Sequence, residues 1–180
     1  MWLINLVENL LAVTRIENGQ MKLNTSTELG DEIIAEALRH TNRRGEEHTI
    51  ITEEYDDLLL VKADSRLVVQ VIINLVDNAI KYTQPGSTIR IQGEKAGNMA
   101  AVSVSDNGPG IPDGQKERIF DMFYTGAGTI ADSHRSLGLG LSLCRSIVAA
   151  HGGTLTVTDN VPCGSIFTFT LLSGEVDIHE

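Results

Sequence analysis

The run from Asp64 to Tyr82 constrains this chain more than any other stretch. Asp64-Ser65 is a helix N-cap signal and Pro85-Gly86 a stop. Between them Leu67, Val71, Ile72, Leu75, Ala79 and Ile80 are apolar. At about 100° per residue, Gln70, Asn74, Asn78 and Lys81 fall within one stripe roughly 80° wide. A solvent-facing stripe is normally filled by Glu, Lys and Arg, whereas Asn is a poor helix former and two at i, i+4 cost propensity. Either the polar face is accidental, or it converges on something oxygen-rich. Asn carbonyl oxygens suit a hard cation such as Mg²⁺, and a Lys in the next turn suits phosphate oxygens.

The rest of the chain surrounds that helix with strands. An amphipathic helix is expected at Leu29 to Arg44, burying Ile33, Ile34, Ala37 and Leu38. Strands are expected at 49–52, 58–61, 88–93, 100–106, 154–158 and 165–172, with short helices near Gln115 to Met122 and from Leu141 to His151. The elements do not alternate strictly, which implies a mixed sheet with helices gathered on one face, an α/β (α+β) two-layer sandwich. Residues 2 to 18 read as a helix with two apolar stripes, Leu3, Leu6, Leu10, Val13 beside Ile4, Val7, Leu11. So wide a face packs either on a partner helix or back on its own domain.

At 180 residues the chain holds one ordinary domain and a short appended element. Its 14 Lys and Arg against 24 Asp and Glu leave a net charge of −10, which repels a phosphate backbone and argues against nucleic acid as a partner. No stretch approaches the ~18 apolar residues of a membrane span. Cys144 and Cys163 lack ligand spacing and read as reduced core thiols.

Two further constellations carry chemistry. Asp106-Asn107-Gly108-Pro109-Gly110-Ile111-Pro112 directly follows a strand. Its glycines permit a sharp turn and close approach to a ligand, and an acid at a strand end can accept a bond from an exocyclic amine. Ser136-Leu137-Gly138-Leu139-Gly140-Leu141 opens a helix, placing backbone N–H groups and the helix dipole toward an anion. The Gly/Ser/Thr-rich stretch before it has the length of a lid.

Taken in order, these segments resemble the motifs of sensor histidine kinases. Asn74 to Tyr82 is similar to their N box, Asp106 to Pro112 to the G1 box, and Ile119 to Tyr124 to the F box. Gly138 to Leu141 is similar to the G2 box, and Gly164-Ser165-Ile166-Phe167 to the closing Gly-rich strand. Leu10 to Gly19 resembles the end of the second dimerisation helix. Within the family, Trp2 to Gly19 and Cys144 to Gly153 are most similar to potassium-responsive sensor kinases.

The resemblance implies a Bergerat-type fold of the GHKL superfamily that binds ATP. It places Mg²⁺ on Asn78 with Asn74 assisting, and Lys81 on the phosphates, Asn74 and Lys81 being the catalytic pair. Tyr82 is expected near the ribose or base, and Asp106 on the adenine amine. Gly108, Gly110 and Ile111 are expected to shape the pocket. Residues 125 to 137 are expected to form an ATP lid anchored by Phe120 and Phe123. Gly138 and Gly140, with Leu137, Leu139 and Leu141 beside them, are expected at the triphosphate. The organisation implied is residues 1–20 from the dimerisation helix, 21–27 a linker, 28–173 the ATP-binding domain and 174–180 a tail.

Two positions depart from the family pattern. Thr125 stands where an Arg is common, and Ser136 replaces the first G2 glycine, which leaves Arg135 as the lid cation and implies weak or strongly Mg²⁺-dependent binding. None of His40, His48, His134, His151 and His179 sits in the acceptor setting of the family, and His151 reads as a helix C-cap. The chain is therefore expected to be a fragment of a homodimeric, membrane-anchored kinase, itself soluble and cytoplasmic. It would hold ATP for a histidine on its missing dimerisation domain, upstream of a response regulator. An interaction module with impaired nucleotide binding is the alternative. Another GHKL ATPase, gyrase-like or chaperone-like, is disfavoured because Asn74 stands where those carry a water-activating Glu.

Overall fold

The computed structural model describes residues 22–41, 47–53, 58–121 and 140–174, with 7, 8, 11, 14–16 and 19. One sheet holds β1 (Ser26–Leu29), β2 (Thr49–Glu53), β3 (Leu60–Ala63), β4 (Thr88–Ala96), β5 (Met99–Asp106), β6 (Leu155–Asp159) and β7 (Ser165–Ser173). The order is β1-β3-β7-β5-β4-β2. β6 pairs with β7 at 165–169, and β3 takes the last two residues of β7. Only β2 and β4 run parallel among the described pairs, so the sheet is mixed, as expected.

Three described helices cover one face: α1 (Gly30–Arg39), α2 (Ser65–Tyr82) and α3 (Gly140–Ala150). Alternation of buried and open positions over 88–93 of β4 and 165–171 of β7 marks that face. Ile89, Ile91, Val102, Val104, Phe167 and Phe169 point into it and meet the helices. On α2, Val68, Val71, Ile72, Leu75, Val76 and Ala79 recur every three or four residues, and all are buried. α2 packs between α1 and α3, so the helix with the amide stripe is the central one.

Three local expectations need correction. Residues 26–29 are a strand, not the end of a linker and the first turn of a helix. Ser26, Thr27 and Glu28 are polar because β1 is a sheet edge with only its last residues turned inward. The helix after it starts at Gly30, where a side chain would collide with Leu59, and ends at Arg39; residues 42–46 lie outside the described set. Near 115–122 there are two short 3₁₀ turns, Asp113–Gln115 and Arg118–Phe120. Lys116 pairs with Asp113 and reaches Asp159 at 2.9 Å, and Phe120 is buried, so both ends of the segment are tied to distant partners.

Asp64 stands at the α2 N-cap, but its side chain does not cap. Its backbone carbonyl accepts from Leu67 and Val68, and its carboxylate accepts from the Asn24 N–H at 3.1 Å. At the N-terminus, Val7, Glu8, Leu11 and 14–16 are helical, with Val7 and Leu11 exposed and Ile16 against the core. No helix among the described residues is long and apolar enough to cross a membrane.

Candidate functional site

At the C-terminal end of α2 a cavity of about 550 Å³ opens between that helix, the turn after β5 and the start of α3. Asn78, Lys81 and Tyr82 reach it from α2, and Asp106, Gly110 and Ile111 from the turn. Leu141 closes it from α3, and Ser165 and Phe167 form the wall from β7.

The amide stripe is divided along its length. Gln70 lies away from this cavity and donates from Nε2 to Asn74 Oδ1 at 3.2 Å. Asn74 itself is not among the described lining residues; its buried Nδ2 finds no oxygen partner and lies beside the Cys144 sulfur. Burial pushes that thiol up to about 12, so it stays protonated. The Asn78 side chain makes no hydrogen bond among the described residues, which leaves its amide available to the cavity. Lys81 has its Nζ 5.2 Å from the Tyr82 ring, in cation–π range.

The turn after β5 is built from its own side chains. Asp106 Oδ1 accepts the Gly108 N–H at 2.9 Å, an i to i+2 turn, and Asn107 Oδ1 accepts the Thr88 N–H at 2.9 Å. A Cβ on Gly108 would lie 2.7 Å from Thr83 Cγ2, and Gly110 has a φ of +78°. Asp106 is only 8% exposed. Burial raises its pKa above the usual carboxylate value, against the lowering effect of the Gly108 and Ser165 N–H groups. The result is a desolvated acceptor facing the cavity.

Phe120 holds the F-box segment in place, edge-on to Phe167 at 6.3 Å with the Arg145 guanidinium 4.9 Å over its ring. Phe123, Thr125, His134, Arg135, Ser136, Leu137, Gly138 and Leu139 lie outside the described residues, so the lid expectation and most of the G2 expectation lie outside them too. Gly140 begins α3, and Leu141 is in the cavity wall.

Residues 63–175 match the family described as histidine kinase-, DNA gyrase B-, and HSP90-like ATPase. The chain belongs to that family. Within these ATPases it is a catalytic, ATP-binding domain of the sensor histidine kinase kind. Sensor protein KdpD of Clostridium acetobutylicum is 39% identical over 170 residues, 94% of this chain and 19% of that protein. The catalytic domain of histidine kinase ThkA, in a nucleotide-free form, matches with TM-score 0.72 at 32% identity, over 84% of this chain and 96% of that one. ThkA in complex with response regulator protein TrrA matches with TM-score 0.72 at 30% identity, over 94% of this chain and 48% of that one. The chain spans about a fifth of the length of the KdpD relatives it matches.

The ATPase family's motifs thus meet at one cavity where they are described. The histidine readings hold for His151, whose Nδ1 bonds the Ile147 carbonyl at 2.7 Å at the end of α3. Sequence reasoning missed Thr83, Gln84 and Gln115 in the wall, and took Ile119 only as the first residue of the F-box-like segment. Thr83 had a signal, since it directly follows the stripe and its hydroxyl caps the Ala79 carbonyl. Gln115 had none, being placed by the 3₁₀ turns.

Proposed function

We propose that this domain binds ATP with Mg²⁺ and presents the γ-phosphate to a histidine on the dimerisation domain of a KdpD-like, homodimeric sensor kinase. The observation that carries the reading is convergence: Asn78, Lys81, Asp106 and Gly110 line one cavity, although the first and last are 32 positions apart. Asp106 accepts the adenine amine, Ile111 and Phe167 pack the base, and Tyr82 flanks the ribose or base. Lys81 sits on the phosphates.

The donor set suits magnesium, which keeps most of its water and needs only one or two protein oxygens. Asn78, unengaged and in the wall, holds the ion, with Asn74 one turn earlier. Bound there, Mg²⁺ offsets phosphate charge during transfer. The chain's own part is to orient the triphosphate and exclude water.

Calorimetric titration with ADP tests the site. Binding should be weak and Mg²⁺-dependent, and Asn78→Ala should weaken it about tenfold or more while leaving the metal-free affinity unchanged. Equal affinity with and without metal would sink the Asn78 assignment. In a second assay, incubation with γ-labelled ATP should leave no phosphohistidine on the chain, because none of its five histidines has the acceptor setting. Supplied with the dimerisation domain, it should phosphorylate that histidine, and the phosphate should pass to a response regulator, as the ThkA–TrrA complex suggests. In the intact kinase the domain works at the cytoplasmic side of a membrane anchor, with no nucleic-acid partner.

A further inference from the structure

We propose that Asn160 is a positioning residue for the Asp106 carboxylate and thereby sets the preference for an adenine base without touching the nucleotide. The proposal rests on the reading of Asp106 as the base acceptor. The loop between β6 and β7 grips the main chain at 106–107 from behind the cavity. Asn160 Nδ2 donates to the Asp106 carbonyl at 2.8 Å, across 54 residues of sequence. The Cys163 thiol points at the Asn107 carbonyl at 3.4 Å. Gly164 approaches so closely that a Cβ there would lie 1.9 Å from the Asp106 oxygen, and its own carbonyl is 3.3 Å from where a Gly110 Cβ would stand.

The orientation of the Asn160 amide is decided by both of its ends. Its Oδ1 accepts the Val161 N–H at 2.9 Å, so the amino group must face the Asp106 carbonyl; turned over, oxygen would meet oxygen and N–H would meet N–H. The residue's own N–H is tied to the Gly164 carbonyl at 3.0 Å, which closes the loop. This donor is needed because the β5–β7 ladder ends at Ser105 paired with Ile166, one residue short of Asp106. On the cavity side the carboxylate is held by the N–H groups of Gly108 and Ser165. Asn160 fixes the peptide behind it, so the carboxylate is held from both sides. A fixed acceptor rejects a base that presents a carbonyl in place of an amine; one free to swing does so less well.

The test measures ADP and IDP affinities of the 180-residue chain with Mg²⁺, since inosine carries a carbonyl where adenine carries its amine. The unaltered chain should prefer ADP by about tenfold or more. Asn160→Ala and Asn160→Asp should each narrow that ratio by about three- to tenfold, through weaker ADP binding with IDP nearly constant. Asn160→Asp keeps the oxygen that accepts Val161 and turns the donor into an acceptor set against the Asp106 carbonyl, so it removes the same bond by a second route if Asn160→Ala does not fold. Asp106→Ala should abolish the preference, and adding Asn160→Ala to it should change the ratio no further. If Asp106→Ala erases the preference while both Asn160 variants keep it, or lower both affinities by one factor, Asn160 is merely structural and the adenine reading survives. If Asp106→Ala leaves the preference intact, both fall together.

Discussion

Between α1 and the first half of α2 lies a depression of about 830 Å³, larger than the 550 Å³ cavity at the other end of α2. Its rim is charged: Glu28, Glu32, Glu36, Arg39 and Arg66 surround a floor of Ile33, Val69 and Ile73. Those charges are mostly satisfied locally. Glu36 pairs with Arg39 and His40 one turn on, which holds its exposed carboxyl below the usual range. Long solvated side chains define that hollow. The smaller cavity is bordered by a fixed turn, where Gly108 and Gly164 leave no room for a Cβ and Gly110 takes a positive φ. Volume alone would choose the charged hollow; convergence of fixed backbone and desolvated polar groups favours the smaller cavity.

Breaking the rigid wall should produce the largest effect. Gly164→Ala places a methyl against the Asp106 carbonyl at a φ of +105° and should cost at least about 3 kcal/mol of stability together with ADP binding. Chemical denaturation and calorimetry would measure both, and a variant that folds and binds like its parent would break the contrast. A smaller effect, of opposite sign on stability, should follow Asp106→Asn. Burial raises this carboxyl in the folded state, so the folded chain holds its proton to higher pH than the unfolded chain does, and ionisation subtracts stability as pH rises through that window. The variant should melt above its parent at neutral pH, with the gain vanishing in acid below the unfolded carboxylate value, and it should bind adenine nucleotide poorly. The smallest effect belongs to the larger hollow: Glu36→Gln should leave both the melting temperature and ADP affinity within error, and a loss of nucleotide binding there would overturn the contrast.

What was legible followed from short-range periodicity and residue chemistry. The α2 stripe stood out because 3.6-residue geometry is local, and Asp106 with its glycines stood out because a turn needs those types. The mixed sheet followed from non-alternating elements. The end of His151 on the Ile147 carbonyl was readable, but its Nε2 also accepts the Asp64 N–H at 3.0 Å, a contact across 87 residues that no local pattern announces. Asn160 was invisible for the same reason. β1 was misread because edge strands need little apolar content, and the 3₁₀ turns because Lys116 and Phe120 answer to distant partners. The stripe reads as a unit in sequence, whereas Gln70 borders the charged hollow and only Asn78 and Lys81 reach the smaller cavity.

The two thiols of the chain differ as sharply as the two hollows: Cys144 is sealed in the core as expected, whereas Cys163 is not a core residue but exposed beside Asn107 at the back of the turn after β5. A maleimide fluorophore added to the unaltered protein would therefore attach at a single address. That sets an optical reporter directly behind the Asp106 turn, with no engineering of the sequence required.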